Sequence, residues 1–333
     1  MNRSKRFSMK KLMYVLVLCL AFSLLLTGCS SKKTEGQADF PTQPLQITLP
    51  WAPGGSSDLT LRALAEIVGP EIGESVNITN REGAGGTIGI MEGANAASTG
   101  YEITFIASGA MVAQPHMREV QYENDDFKGI VGLTYEPVVL AVNADSDWDT
   151  LDDLIAEKNS NRIIKFAHSG AGGFPHVTQE AFFSEAGINA ESVPFEGGGP
   201  AVTALLGGHV DTVAAHPAEL IPHVESGDIR LLGVFSPERF ELLEDVPTFK
   251  EKGFDLNMSV WKALVVPKDT PDDVVEKLRD IFTTAVNSTE YKEFLKKNSL
   301  APIDIEPDEI VPRLNEEYES TGKVLENIGL KEY

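Results

Sequence analysis

Four times in this chain a short apolar run breaks into glycine and small hydroxyl residues, then resumes with helical spacing. The stretches are PGGSSD (53–58), GAGGTIG (83–89), HSGAGGFPH (168–176) and FEGGGP (195–200), and ASGAM (107–111) is a shorter relative. A strand that turns through glycine into a helix brings bare backbone close to whatever lies above it. The first N–H groups of the helix have no intrahelical acceptor, and its dipole is positive at that end, so the turn suits an anion. A single loop of this kind can be no more than a tight turn. Four of them restrict the chain to an α/β architecture with a shared binding edge.

The pattern between the loops agrees. LQITLPW and VNITNRE read as strands on either side of the helix LTLRALAEIVGPEIG, TIGIMEGANAA reads as a helix, and YEITFIAS and PVVLAVNADS read as strands. WDTLDDLIAEKN is a helix with an acidic first turn, followed by the strand RIIKFAHS and the helix PHVTQEAFFSEAGI. ESVPFEG leads through glycines into the helix PAVTALLGG, and VDTVAA and IRLLGVFS are further strands. Thr270 and Pro271 open a helical tail with acids in its first turn. This alternation predicts α/β lobes with mostly parallel sheets. The chain exceeds the 250–300 residues, roughly, at which single cores stop growing, so two lobes are expected. VLAVNADSD and NMSVWKALVVPKD are the candidate crossing strands. They would make lobe 1 discontinuous, residues 45–141 with 265–333, and lobe 2 residues 142–264.

The first thirty residues bear on compartment. MNRSKRFSMKK carries five basic residues and no acid, and an apolar run follows from Leu12 to Leu26. That run is shorter than the 20 residues, roughly, of a membrane span and suits a signal peptide. Leu26-Thr27-Gly28-Cys29 resembles a bacterial lipobox, which predicts a signal peptide over 1–28, lipidation of Cys29 and a flexible polar tether over 29–44. An uncleaved N-terminal anchor is the alternative, and either puts the rest of the chain outside the cytoplasm. The remaining cysteine, Cys19, falls inside the signal segment, so no disulfide framework is available. The formal net charge of −22 becomes five units more negative once the basic leader is removed. That balance argues against nucleic acid, whose phosphates need Lys and Arg.

The loops exclude several chemistries. GAGGTIG is offset from the dinucleotide fingerprint, and PGGSSD lacks the Lys-Ser/Thr of a phosphate-binding loop. Ser108 and Ser169 lie outside a G-x-S-x-G context, and His168, next to Ser169, points to the other face of a strand. A hydrolase built on Ser169 stays as one alternative. His209, His216 and His223 are spaced by seven, but Gly208, Pro217 and Pro222 are expected to break any continuous helix. A metal receptor using His168 and His176 is the other alternative. His176, opening a helix after SGAGGFP, is expected near a ligand.

Taken in order, these residues resemble the substrate-binding proteins of tripartite tricarboxylate transporters, the Bug receptors, over nearly the whole chain beyond the leader. The motifs are PGGSSDLTLR with Asp58 and Arg62, NREGAGGTIG from Asn80, TGYEITFIAS, SGAGGFPH, and the block from Val193 to Asp211. VPTFKEKGF and the W-AL-VPKDTP segment complete the series. The resemblance implies a periplasmic-binding-type fold, two Rossmann-like lobes joined by two crossing strands and closing on a small carboxylate. It also implies that backbone N–H groups, hydroxyls and waters hold the ligand, with no arginine clamp.

Carried onto this sequence, one side of the site would be Gly54, Gly55, Ser56 and Ser57 with Gly85, Gly86 and Thr87, and Asp58 would cap the helix. The facing side would be Ser169, Gly170 and Gly173, with Gly198 nearby and Ser108 between. The implied role is a lipid-anchored receptor, not an enzyme, that delivers a tricarboxylate such as citrate, or a dicarboxylate, to integral-membrane transporter subunits. No cofactor is expected, and a monomer is. Four positions depart from the family pattern: Glu82 replaces proline, Glu102 a hydroxyl, Gly173 a serine, and Ala215 an aspartate that reads an amino group in some members. The last departure favours a non-amino carboxylate.

Overall fold

Leu45–Leu49, strand β1, alternates fully buried and half-buried residues, as expected for a strand whose two faces are unequally covered. The computed structural model describes residues 40–256 and 258–333. The signal segment, Cys29 and the tether as far as residue 39 lie outside the described residues. From β1 the chain enters α1 (Ser56–Ile72), β2 (Val76–Asn80), α2 (Thr87–Ala94), β3 (Glu102–Ala107) and α3 (Ser108–Met117). Strands β1 and β2 pair in parallel, as do β1 and β3. Each of the three strands is followed by a helix, which is the repeated unit that the sequence pattern predicts.

The second series is built alike. Helix α4 (Leu151–Ala156) is closed at its start by a reciprocal capping box between Thr150 and Asp153. It precedes β5 (Ile164–His168), α5 (Phe174–Ala186), β6 (Ala190–Pro194), α6 (Gly198–Leu206), β7 (Thr212–Ala215) and α7 (Pro217–Glu225). Strand β5 pairs in parallel with β6 and with β7. Pro222 lies inside α7, so the expected helix break does not occur there. His216 is the N-cap residue and His223 falls in the last turn of α7, whereas His209 precedes β7.

The middle of the sheet is antiparallel, where mostly parallel pairing was expected. Strand β4 (Phe127–Asn143) pairs antiparallel with β9 (Ser259–Pro267) through its first part and with β7 and β8 (Ile229–Phe235) through its last. The switch falls between Pro137, opposite Ser259, and Val138, opposite Phe235. The strand order among the described residues is β2-β1-β3-β9-β4-β7-β5-β6, with β8 and the short β10 (Ala301–Pro302) also on β4. The chain thus passes between the two halves of the sheet along β4 and again between β8 and β9. Antiparallel pairing follows from this: β4 and β9 carry the chain in opposite directions through the junction.

The tail packs on the first half. Helix α8 (Asp272–Asn287) buries Val274, Val275, Leu278, Phe282 and Ala285, one stripe at helical spacing. Helices α9 (Thr289–Lys297) and α10 (Ile310–Asn327) follow. Around α5 and β8, Phe182, Phe235, Phe249 and Phe254 form an aromatic cluster, with the Phe235 and Phe249 rings stacked 3.7 Å apart. No helix among the described residues is long and apolar enough to cross a membrane.

Candidate functional site

The four loops converge. Ala52 donates its N–H to the Glu196 carbonyl at 2.8 Å, and Gly199 lies so close to Gly54 that a Cβ there would sit 3.1 Å from its backbone. The first loop therefore meets the fourth across the junction. The second meets the third: a Cβ on Gly170 would fall 2.8 Å from the Gly85 Cα. Gln114, on α3, joins this second pair by donating its side-chain amide to the carbonyls of Gly85 and Ala171. Gly85 has φ +67° and Gly170 φ +137°, both in the region that a side chain disfavours. Glycine is thus required here twice over, for the turn and for the close approach.

These contacts enclose a cleft of about 40 Å³. Its walls are Trp51, Ala52, Gly55, Ser56 and Ser57 from the first loop, Gly85 from the second, and Ala107, Gly109 and Ala110 around the start of α3. The opposite wall is Ser169, Gly170, Gly173, Phe174 and Pro175, then Gly198, His216 and Glu219, with Val260 and Lys262 from β9 as the floor. Helices α1, α5 and α6 all begin at this wall, and each begins after a glycine N-cap with no side-chain cap bond. Their first-turn N–H groups have no intrahelical acceptor and point toward the cleft end.

Of the expected ligand residues, Gly55, Ser56, Ser57, Gly85, Ser169, Gly170, Gly173 and Gly198 line this cleft. Gly54, Gly86, Thr87, Ser108 and His176 do not. Gly54 donates its N–H to the Asp58 carboxylate at 3.1 Å, and Gly86 packs against the Trp51 ring. The Thr87 hydroxyl donates to the Ala84 carbonyl, and the buried Ser108 hydroxyl accepts from the Trp261 N–H. His176 accepts the Gly172 N–H through Nδ1, beneath the third loop. Asp58 sits at the third position of α1, and Gly55 is the N-cap residue. The Asp58 carboxylate clasps Arg62 through two hydrogen bonds of 2.7 and 2.9 Å. Burial would raise its pKa, but Arg62 and the Gly54 N–H outweigh that and hold it below the ordinary value.

The histidine pair is engaged within the fold. His168 accepts the Gly170 N–H on Nδ1 at 3.3 Å, and its Nε2 faces the Ser192 hydroxyl at 2.8 Å. Burial, then the neighbouring His176, pushes the His168 pKa down to about 3, so the ring is neutral. Among the described residues no group of three or more His, Cys, Asp or Glu side chains is placed to hold a metal ion.

The cleft contains a charged group that the motif reading missed. Lys262, 1% exposed, donates from Nζ to the Ser56 hydroxyl and to Glu136 Oε1 at 2.7 Å. Glu136 is fully buried, takes a second bond from the Thr134 hydroxyl at 2.6 Å, and has its Oε2 3.8 Å from His216 Nδ1. Burial alone would raise the Glu136 pKa, but Lys262 and then His216 bring it down to about 2. Glu219, on α7, accepts the Ser56 N–H on Oε1 and the His216 N–H on Oε2, both at 2.9 Å. The available signal was one lysine in SVWKALVVP and one glutamate in GLTYEPVVL, opposite charges inside mostly apolar stretches.

Comparison with known proteins agrees with this geometry. The family model described as tripartite tricarboxylate transporter family receptor matches residues 60–330. Protein BugT of Bordetella pertussis is 30% identical over 297 residues, 88% of this chain and 91% of that protein. Among solved structures, one titled as a periplasmic transporter superposes with a TM-score of 0.83 at 30% identity, over 88% of this chain and 99% of that one. The periplasmic binding protein BugD gives 0.84 at 26% identity, over 88% and 100%.

Proposed function

Because the chain belongs to the tripartite tricarboxylate transporter receptor family, we propose that it captures a small carboxylate in the cleft and delivers it to a membrane transporter of that type. The observation that supports this most directly is the convergence on one cleft of three helix N-termini that start after glycine and so have no cap from their own N-cap side chain. N–H groups at Ser57, Phe174, Gly198 and Gly199 offer oriented donors, and the Ser57 and Ser169 hydroxyls add to them. Several such bonds together give micromolar binding, about 8 kcal/mol.

The lipobox-like Leu26–Cys29 segment supports tethering of the receptor to the membrane through lipid on Cys29. Lobe 1 is taken as residues 45–141 with 265–333, and lobe 2 as 142–264. The pairing switch in β4 after Pro137 supports a hinge close to the first of these boundaries. Closure would bring the outer faces of both lobes into one surface, so a transporter could distinguish loaded from empty receptor. Isothermal titration of the mature chain against citrate, succinate, malate, glutamate and aromatic acids tests the reading. Heat with saturable stoichiometry from at least one acid is expected, and none from any of them would refute it.

A further inference from the structure

Glu219 places the protein's own carboxylate where helix N-termini meet. Oε1 takes the Ser56 N–H from the first residue of α1, and Oε2 takes the His216 N–H at the cap of α7. A Cβ on Gly198, the first residue of α6, would stand 2.1 Å from Oε1, so the carboxylate also lies directly against that helix start. These three helices are nine residues or longer, and Glu219 is hydrogen-bonded to the starts of α1 and α7 and lies against the start of α6. The Ser56 N–H comes from 163 residues away, across the junction between the two halves of the sheet. Such a junction of helix starts is a carboxylate site by its physics, and here a carboxylate is seated in it.

The surrounding charges sharpen the point. Among the described residues Lys262 is the one lysine or arginine on the cleft wall, and it is held by Glu136, which is fully buried with its Oε2 lacking a hydrogen-bond partner and 3.8 Å from His216 Nδ1. Among the described residues Glu219 has backbone donors but no cationic side chain as a hydrogen-bond partner. A second ligand carboxylate arriving at this end would meet a like charge in place of open N–H groups, a repulsive element that discriminates between ligands. A hydroxyl or ammonium would meet an oriented acceptor.

From this arrangement we infer that Glu219 stands in for one ligand carboxylate, and that the cleft selects a monocarboxylate bearing a hydroxyl or amino donor over the corresponding di- or tricarboxylate. The single ligand carboxylate goes to the other end, at Ser57, Ser169 and the start of α5, and the donor goes to Glu219. This deepens the receptor reading above and rests on it. It also runs against the non-amino preference that Ala215 suggests in the sequence.

Matched pairs that differ by one carboxylate provide the test: lactate with malate, alanine with aspartate, and 4-aminobutyrate with glutamate, titrated into the wild-type chain and into Glu219→Gln and Glu219→Ser. The wild type is expected to bind the monocarboxylate of at least one pair about tenfold or more tighter than its partner. Both variants should narrow or invert that ratio, with the dicarboxylate gaining and the monocarboxylate losing affinity. Equal or tighter binding of the dicarboxylates by the wild type would overturn the inference and leave the receptor reading intact. The wild-type ratios decide this even where a variant folds poorly, and an unchanged ratio in a folded variant would also overturn it. Failure of all six acids with every protein would overturn the inference, and only failure of citrate, succinate and the aromatic acids as well would bring down the receptor reading with it.

Discussion

At the scale of single residues, the costliest feature is the ion pair beneath the cleft. Lys262 and Glu136 are both removed from water, and attraction at 2.7 Å offsets their desolvation together with the bonds from Thr134 to Glu136 Oε1 and from Lys262 to Ser56, while Glu136 Oε2 has no hydrogen-bond partner among the described residues. Lys262→Met therefore leaves a buried carboxylate uncompensated and is expected to destabilise the fold by about 3–5 kcal/mol. The double variant Lys262→Met/Glu136→Leu should recover most of that loss, which urea unfolding midpoints would show. His168 supplies a separate pH dependence. Its folded-state pKa of about 3 lies below the ordinary value of 6.5, so the unfolded chain takes up the proton first as pH falls. Its contribution is complete above pH 6.5, declines toward pH 3, and at pH 5 is smaller by about 2 kcal/mol. Glu136, depressed from 4.5 to about 2, contributes stability above pH 4.5 that is lost only as pH falls further. Between pH 7 and 5 the two are thus separable, and His168→Gln should flatten the stability curve there. An equally steep curve in the variant would assign the dependence elsewhere.

At the scale of elements, the contact between the second and third loops shapes one side of the cleft. Gly85→Ala would bring a methyl to 2.4 Å from the Ala171 carbonyl while holding φ +67°, so the loops must part. Ligand affinity is expected to fall about tenfold or more, with a stability cost of about 1–2 kcal/mol from the left-handed backbone alone. Titration beside thermal unfolding separates the two effects. These loops were legible in the sequence because their chemistry is local: glycine and hydroxyl residues between a strand and a helix. Strand β4 was legible only from Pro137 onward. Its first part, FKGIVGLTYE, carries no strand assignment from the sequence and contains Gly129 and Gly132, which interrupt the apolar pattern. In the fold they mark the register shifts against β9, and each lies under the tail, where a Cβ would strike the Pro307 carbonyl or the Ile303 and Ile305 side chains. Glu136, Glu219 and Lys262 come from three distant segments, and only tertiary pairing sets Glu219 and Lys262 on one cleft with Glu136 buried behind Lys262. Sequence spacing carries no trace of that meeting.

At the scale of the whole molecule, the formal net charge of −22 opposes the approach of any anion. Locally, with Lys262 paired to Glu136, the helix N-termini at the cleft are the groups that favour an anion. Which governs encounter depends on distance, and salt tunes the balance. The screening length is about 30 Å at 0.01 M and about 10 Å at 0.1 M, so added salt suppresses the long-range repulsion first and leaves short-range hydrogen bonding largely intact. The association rate of a net-anionic ligand such as lactate should therefore rise between these salt concentrations, whereas that of zwitterionic alanine should change little. The dissociation rate of both should stay nearly constant, because it is set by contacts inside the cleft. Trp51 lines that cleft, packed edge-on to Phe105, and provides the stopped-flow fluorescence signal. A lactate association rate that falls with added salt would mean that the helix termini focus the field well beyond the cleft mouth. The acidic surface would then have to serve another encounter, such as docking onto a basic face of the transporter.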